Sequence, residues 1–104
     1  MPLIVVMEDD AATRTLGRLF VADANLRLKA IADSIAANDA PALAWAAHAL
    51  TGATSNIGAL AMHTVCSELE SEAKAGVVPA YVAEQMQRLQ GYWTKTRDLL
   101  ASWV

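Results

Sequence analysis

The chain has 104 residues and a mass of 11.1 kDa, which predicts a single compact domain, residues 1–104, and excludes a two-domain enzyme. Hydrophobic residues make up 55% of it, alanine is the most frequent residue, and 5 glycines and 3 prolines are too few for the turns of a many-stranded β-fold. The net charge of −3, without a basic cluster, argues against binding to nucleic acid or an anionic membrane surface. We therefore expect an all-α domain whose partner is a protein or a small molecule.

The N-terminal third of the chain is predicted to be helical. Asp9 and Asp10 can cap a helix start and favour it through the helix dipole. A second helical stretch begins at about Asp23, so this region forms either one kinked helix or two helices. Apolar residues recur at helical spacing in both stretches: Leu16, Leu19, Phe20, Leu28, Ile31 and Ile35.

A break at Asn38 and Asp39 precedes the next helix, at about residues 40–55. Asp39 is the predicted N-cap, and Pro41 falls in the first turn, where proline is tolerated. The sequence of residues 56–58, Asn-Ile-Gly, predicts the end of this helix. Its inner face is predicted to consist of Leu43, Ala46, Leu50, Ala53 and Ile57.

Two further helices complete the predicted fold. One spans about residues 59–74 and is closed by Gly76, and the last spans about residues 80–102. Amphipathic helices joined by short turns predict an antiparallel four-helix bundle with an additional or kinked N-terminal helix. The predicted core residues of these two helices are Met62, Cys66, Leu69, Val82, Met86, Leu89, Trp93 and Leu100.

His48 is predicted to point away from the core, because it lies almost opposite the inner face of its helix. Its neighbours on that outer surface are uncharged, although a solvated helix surface usually carries Lys or Glu. Gly52, one turn later, weakens the helix but leaves room for another molecule to approach the imidazole. We call this surface the histidine face and expect it to dock a partner, with Trp45 at its rim; it consists of Pro41, Ala44, Trp45, His48, Thr51, Gly52 and Ser55.

The sequence of residues 47–59, AHALTGATSNIGA, resembles the signature of histidine-containing phosphotransfer (HPt) domains. That signature typically reads His-x-Leu-Lys-Gly-Ser, followed after a short spacer by Gly-Ala. The resemblance extends over about residues 10–75 and includes Met62, Cys66 and the Leu69-Glu70 pair in the following helix. The motif is fairly specific, because it fixes the identity and spacing of several residues across two helices.

The resemblance implies a phosphorelay carrier in which His48 is the phosphoacceptor. Such domains are four-helix bundles whose exposed histidine exchanges a phosphoryl group with the aspartate of a response-regulator receiver domain. An imidazole is largely neutral near pH 7, so one ring nitrogen keeps a lone pair for nucleophilic attack. The implied partners are a receiver domain and, as a further candidate, a hybrid sensor histidine kinase. We expect no cofactor in this chain, with Mg²⁺ only on the receiver, and no kinase or ATPase activity of its own.

One position departs from the signature. Thr51 stands where HPt domains usually have a lysine, and it can donate a hydrogen bond to a phosphoryl oxygen but brings no positive charge. Ser55 can add a second hydroxyl, and the sequence assigns no nearby cation. The alternative function is therefore a helical interaction module that is not phosphorylated and regulates a protein through the same face.

Other interpretations are less well supported. His63, Cys66 and Glu70 have a spacing that could present metal ligands on one helix, but Cys66 more simply fills the core, and no metal is expected. The apolar residues 3–7 before the acidic pair resemble the start of a receiver domain, yet a receiver needs a later aspartate that residues 40–97 do not contain. We expect Glu68, Glu70 and Glu72 to form a solvated flank, and Trp93 and Trp103 to be packing anchors.

The sequence also bears on the cellular setting. Residues 3–7 form the longest strongly apolar run without alanine, far short of the roughly 20 residues of a membrane span, and no signal-peptide pattern precedes them. Cys66 is the only cysteine, so no internal disulfide can form and no oxidising compartment is required. We expect a cytoplasmic domain without direct membrane contact.

Overall fold

The computed structural model describes residues 11–57 and 59–101, with side chains from residue 15 onward except those of residues 56 and 57. Four helices account for most of this part of the chain: α1 (Ala11–Ala36), α2 (Ala40–Ile57), α3 (Leu60–Lys74) and α4 (Val82–Ala101). The described residues include no strand. Several predictions lie outside the described residues, namely those for residues 3–7, Asp9, Asp10, Gly58 and Trp103, as does the side chain of Ile57.

Helix α1 is one uninterrupted element of 26 residues, so the two predicted N-terminal stretches form a single helix. At 1.5 Å per residue it is about 39 Å long, close to the 41 Å longest dimension of the molecule. Its buried apolar side chains run from Phe20 through Ala24 to Leu28 and Ile31. Leu19, expected among the inward apolar positions, is 63% exposed because it lies about 100° around the helix from Phe20. Leu16, near the start of the helix, is 40% exposed.

The turns between helices follow from local sequence. The carboxylate of Asp39 accepts a hydrogen bond from the Ala42 backbone N–H at 3.1 Å, which confirms the predicted N-cap of α2. Asn38, just before it, has a φ of 52°, a left-handed conformation that asparagine tolerates better than most residues. Gly76 has a φ of 91° after the end of α3, where glycine avoids the strain that a side chain would cause.

Consecutive helices are antiparallel. Along α2 and α3 the contacts run in opposite orders, since His48 pairs with Glu70 whereas the later Ser55 pairs with the earlier His63. The contacts between α3 and the residues that follow it also run in opposite orders, since Glu72 pairs with Tyr81 whereas the earlier Glu68 pairs with the later Arg88. Helix α4 returns to α1, where Phe20 and Trp93 meet edge to face with ring centroids 5.9 Å apart. The predicted antiparallel four-helix bundle is therefore confirmed.

The core lies between the four helices, and the most extensive helix–helix contact is that between α2 and α3. Cys66 is fully buried there, and burial, followed by the negative charge of Glu70, raises the pKa of its thiol to about 12. The predicted core residues Val82, Met86, Ala53 and Ile35 are only partly buried. The largest buried apolar side chains are Phe20, Leu28, Ile31, Leu43, Leu50, Met62, Val65, Leu69, Leu89, Trp93 and Leu100.

Candidate functional site

His48 projects from the outer surface of α2. Leu43 and Leu50 on the opposite side of the helix are fully buried, so the amphipathic pattern of α2 turns the imidazole outward. The side chain of His48 is 67% exposed, which confirms the orientation predicted from the sequence. The ring is therefore accessible to a second molecule.

Glu70 of α3 fixes the orientation of the imidazole. The Nδ1 atom of His48 lies 2.9 Å from Oε2 of Glu70, and a carboxylate only accepts hydrogen bonds, so Nδ1 carries the proton and donates it. In the neutral ring the lone pair is then on Nε2. The side chain of Glu70 is only 12% exposed, so the prediction that it belongs to a solvated flank is wrong. The turn of α3 that faces α2 carries it into the helix interface.

Lys74 completes this cluster from the last turn of α3. Its Nζ atom lies 2.6 Å from the same Oε2 atom of Glu70 that accepts from His48. The hydrogen bond from Lys74, reinforced by that from His48 and by the positive charge of Lys74, lowers the pKa of Glu70 despite the opposing effect of burial. The carboxylate therefore stays ionised and continues to accept the hydrogen bond from Nδ1 of His48.

Sequence reasoning assigned no cation to this region, yet the signal for one was present. Glu70 and Lys74 are four residues apart, with the acidic residue first, which is the favourable order for an ion pair on one helix. That spacing indicates the pair but not its location beside His48. The location depends on how α3 packs against α2.

An open groove of about 480 Å³ adjoins the imidazole. Four residues of the histidine face line it on the α2 side, and the end of α3 provides the other wall. Trp45 is 77% exposed at this groove, an unusual position for the largest apolar side chain and one typical of interaction surfaces. The lining residues are Pro41, Ala44, Trp45, His48, Ala73, Lys74 and Gly76.

Gly52 leaves open space one turn beyond His48. A Cβ atom added at this position would meet no atom within 4 Å, so no packing contact requires glycine there. The residue nevertheless lies in the interior of α2, where glycine costs about 1 kcal/mol relative to alanine. No side chain therefore projects from position 52, and the surface beside the imidazole is unobstructed.

The two hydroxyls predicted to neighbour a phosphoryl group have partners within the domain. Thr51 donates from Oγ1 to the backbone carbonyl of Ala47 at 2.8 Å, a bond within its own helix. Ser55 Oγ lies 3.1 Å from Nδ1 of His63, on α3. A role of Thr51 or Ser55 toward a phosphoryl group remains a prediction.

The three residues considered as metal ligands on α3 have separate surroundings and do not converge on one point. Cys66 is buried in the core, Glu70 contacts His48, and Nδ1 of His63 lies 3.2 Å from the backbone carbonyl of Thr51. Within residues 11–57 and 59–101, no group of three or more His, Cys, Asp or Glu residues is arranged to hold a metal ion.

Comparison with known proteins identifies the family. The model of the Hpt domain matches residues 16–99. The chain belongs to the Hpt domain family. Its structure is also similar to that of histidine-containing phosphotransfer protein B (HptB) from Pseudomonas aeruginosa PAO1, with a TM-score of 0.81 and 29% sequence identity over 86% of this chain and 77% of that one. No curated protein sequence is significantly similar to the chain.

Membership of the Hpt family confirms the function predicted from the histidine motif. The chain is a histidine phosphotransfer domain of a phosphorelay, and the family implies receiver domains of response regulators as partners. The helices of the described part include none that is both long and apolar enough to cross a membrane.

Proposed function

We propose that His48 is the residue of this Hpt domain that carries the phosphoryl group, and that Nε2 is the atom to which it is attached. The observation that carries the proposal is the hydrogen bond from Nδ1 to Glu70, combined with the exposure of the ring. The second histidine, His63, is less exposed and its Nδ1 atom contacts the end of α2. His48 is therefore the more exposed of the two histidines, and it is the one that lies in the HPt motif.

The transfer step follows from this geometry. The Nε2 lone pair of His48 attacks the phosphorus of the aspartyl phosphate on the receiver, and the bond between phosphorus and the aspartate oxygen breaks as the N–P bond forms. The electron pair of the broken bond stays on the aspartate, which leaves as a carboxylate. The imidazole keeps its Nδ1 proton and gains a positive charge, which the adjacent carboxylate of Glu70 stabilises. The same contact assists the reverse transfer, because a protonated ring is the better leaving group.

The histidine face is the proposed docking surface for the receiver. Its groove is lined by small and apolar residues, and Trp45 provides a large exposed contact area beside His48. The open space above Gly52 allows the receiver to bring its aspartate to the imidazole. The receiver contributes the Mg²⁺ ion that stabilises charge during the transfer, and this chain needs no cofactor of its own.

The proposed setting is the cytoplasm, with a hybrid sensor histidine kinase as the source of the phosphoryl group. Cys66 is a buried free thiol, which is compatible with a reducing compartment. The receiver of such a kinase would dock on the same face as the receiver that accepts the group.

The test is phosphorylation by a receiver that carries a labelled aspartyl phosphate. We expect acid-labile, base-stable label on the wild-type chain and on His63→Gln, and none on His48→Gln. His63→Gln is the matched control because the chain contains two histidines. Absence of label on the wild-type chain, with receiver binding retained by His48→Gln, would instead favour the interaction module that is not phosphorylated.

A further inference from the structure

The two helices that form the site contain very few positive charges. Helix α2 has no charged residue at all, and Lys74 is the only lysine or arginine of α3. In the sequence, Lys74 is moreover the only lysine or arginine between Lys29 and Arg88. Any cation that acts on His48 from α2 or α3 must therefore be Lys74.

A phosphoryl group on His48 brings negative charge that a nearby cation would stabilise. On other phosphorylated side chains such a group carries a charge of roughly −1.5 to −2 at neutral pH. It would form beside the ionised carboxylate of Glu70, which repels it. The HPt signature usually has a lysine where this chain has Thr51, so the usual source of positive charge is absent.

Lys74 is placed to fill this role. Its Nζ atom and Nδ1 of His48 contact the same oxygen of Glu70, so the two nitrogens are no farther apart than the sum of those two short contacts. Independently, Lys74 and His48 line the same open groove. The Lys74 side chain is 62% exposed, and its flexible stem allows the ammonium to turn from the carboxylate toward a phosphoryl oxygen.

We infer that Lys74 is the cation that stabilises phosphorylated His48 in this chain, in place of the lysine that HPt domains usually have at the position of Thr51. The inference rests on the proposed function, in which His48 is the phosphoacceptor. In the free domain Nζ neutralises Glu70, and in the phosphorylated domain it donates to a phosphoryl oxygen while Glu70 still accepts the hydrogen bond from Nδ1 of His48. No covalent bond to Lys74 forms or breaks.

The experiment compares Lys74→Met with Lys29→Met, which removes the same charge from an exposed position on α1. The measurements are the rate of transfer from a phosphorylated receiver and the half-life of the phosphohistidine. We expect Lys74→Met to lower the rate, the half-life or both by roughly tenfold or more, the effect of one hydrogen bond to a charged group. Lys29→Met should leave both within about twofold of wild type.

A rescue variant separates charge from structure. Thr51→Lys in the Lys74→Met background should restore most of the lost rate or half-life, because it places a lysine at the position where the signature has one. Lys74→Arg should retain most of the wild-type behaviour. The thermal midpoint should change little in Lys74→Met, since the residue is largely exposed.

The outcomes distinguish this inference from the proposed function. Normal labelling of Lys74→Met with a wild-type rate and half-life would overturn the role of Lys74 and leave His48 as the acceptor. Equal losses in Lys74→Met and Lys29→Met would also overturn it, because the effect would then be one of net charge. A wild-type chain that takes no label would overturn the proposed function itself, and the role of Lys74 with it.

Discussion

Gly52 offers a test in which stability and docking are expected to change in opposite directions. A helix-interior glycine with no atom within 4 Å of an added Cβ can be replaced without a clash. Gly52→Ala should therefore gain about 1 kcal/mol of unfolding free energy from helix propensity alone. For a domain of this size, that gain raises the thermal midpoint by about 4 °C. Gly52→Gln should gain nearly as much, because glutamine is also a good helix former.

Docking of the receiver should respond in the opposite way. A glutamine side chain at position 52 fills the space beside His48, and we expect a loss of about 1 to 3 kcal/mol in binding free energy, or about 5- to 150-fold in Kd. A loss of binding by a more stable protein cannot be attributed to unfolding. Thermal denaturation and titration with the receiver measure the two effects.

Gly91 is the matched control for this experiment. It is an exposed glycine in the interior of α4, and a Cβ atom there would also meet nothing within 4 Å. Gly91→Gln should raise the thermal midpoint by a similar amount and leave receiver binding unchanged. If Gly52→Gln were folded and bound the receiver as tightly as Gly91→Gln, the histidine face would not be the docking surface.

Three further predictions address the groove, the carboxylate and the core. Trp45→Ala should weaken receiver binding by at least about tenfold with little change in stability, whereas Leu26→Ala, at another exposed apolar residue on α1, should not; equal binding of both variants would refute a role for Trp45. Glu70→Gln should lower the unfolding free energy by less than about 1 kcal/mol at neutral pH, since its partners are largely exposed. Because the pKa of Glu70 is lowered in the folded state, its stabilising effect is complete above its unfolded pKa and is lost as the pH falls below about 4, so denaturation curves of the two proteins should converge there and a constant difference would contradict this ionisation. Cys66→Ser should cost about 1 to 3 kcal/mol by burying a hydroxyl in the core, and Cys66 of the native protein should react slowly with thiol reagents; rapid modification would show that the thiol is not buried.

The bundle and the exposed histidine could be predicted from the sequence because they follow from local rules. The capping of α2 by Asp39 involves a backbone N–H only three residues further along the chain. The outward direction of His48 follows from the periodicity of a single helix. The histidine motif added the function, because its spacing is specific to one family. Each helix, its cap and its outward face depend on residues that are close together in the sequence.

The electrostatic part of the site could not be predicted in the same way. Glu70 was expected in solvent, because three alternating glutamates on α3 are typical of an exposed flank. Its burial and its contact with His48 depend on how α3 is rotated about its axis where it packs against α2. The two residues are 22 positions apart in the sequence, so no local pattern relates them. Lys74 was missed for the same reason. Periodicity shows which face a residue occupies, but not which residue of another helix lies opposite.

The most direct test of the account is to locate the phosphoryl group within the imidazole of His48. Heteronuclear NMR of the ¹⁵N-labelled domain, phosphorylated by its receiver, distinguishes the two ring nitrogens. The hydrogen bond from Nδ1 to Glu70 predicts that phosphorus is bonded to Nε2 of His48 and that Nδ1 retains its proton. Phosphorus on Nδ1, or on any residue other than His48, would contradict the proposed arrangement of the site.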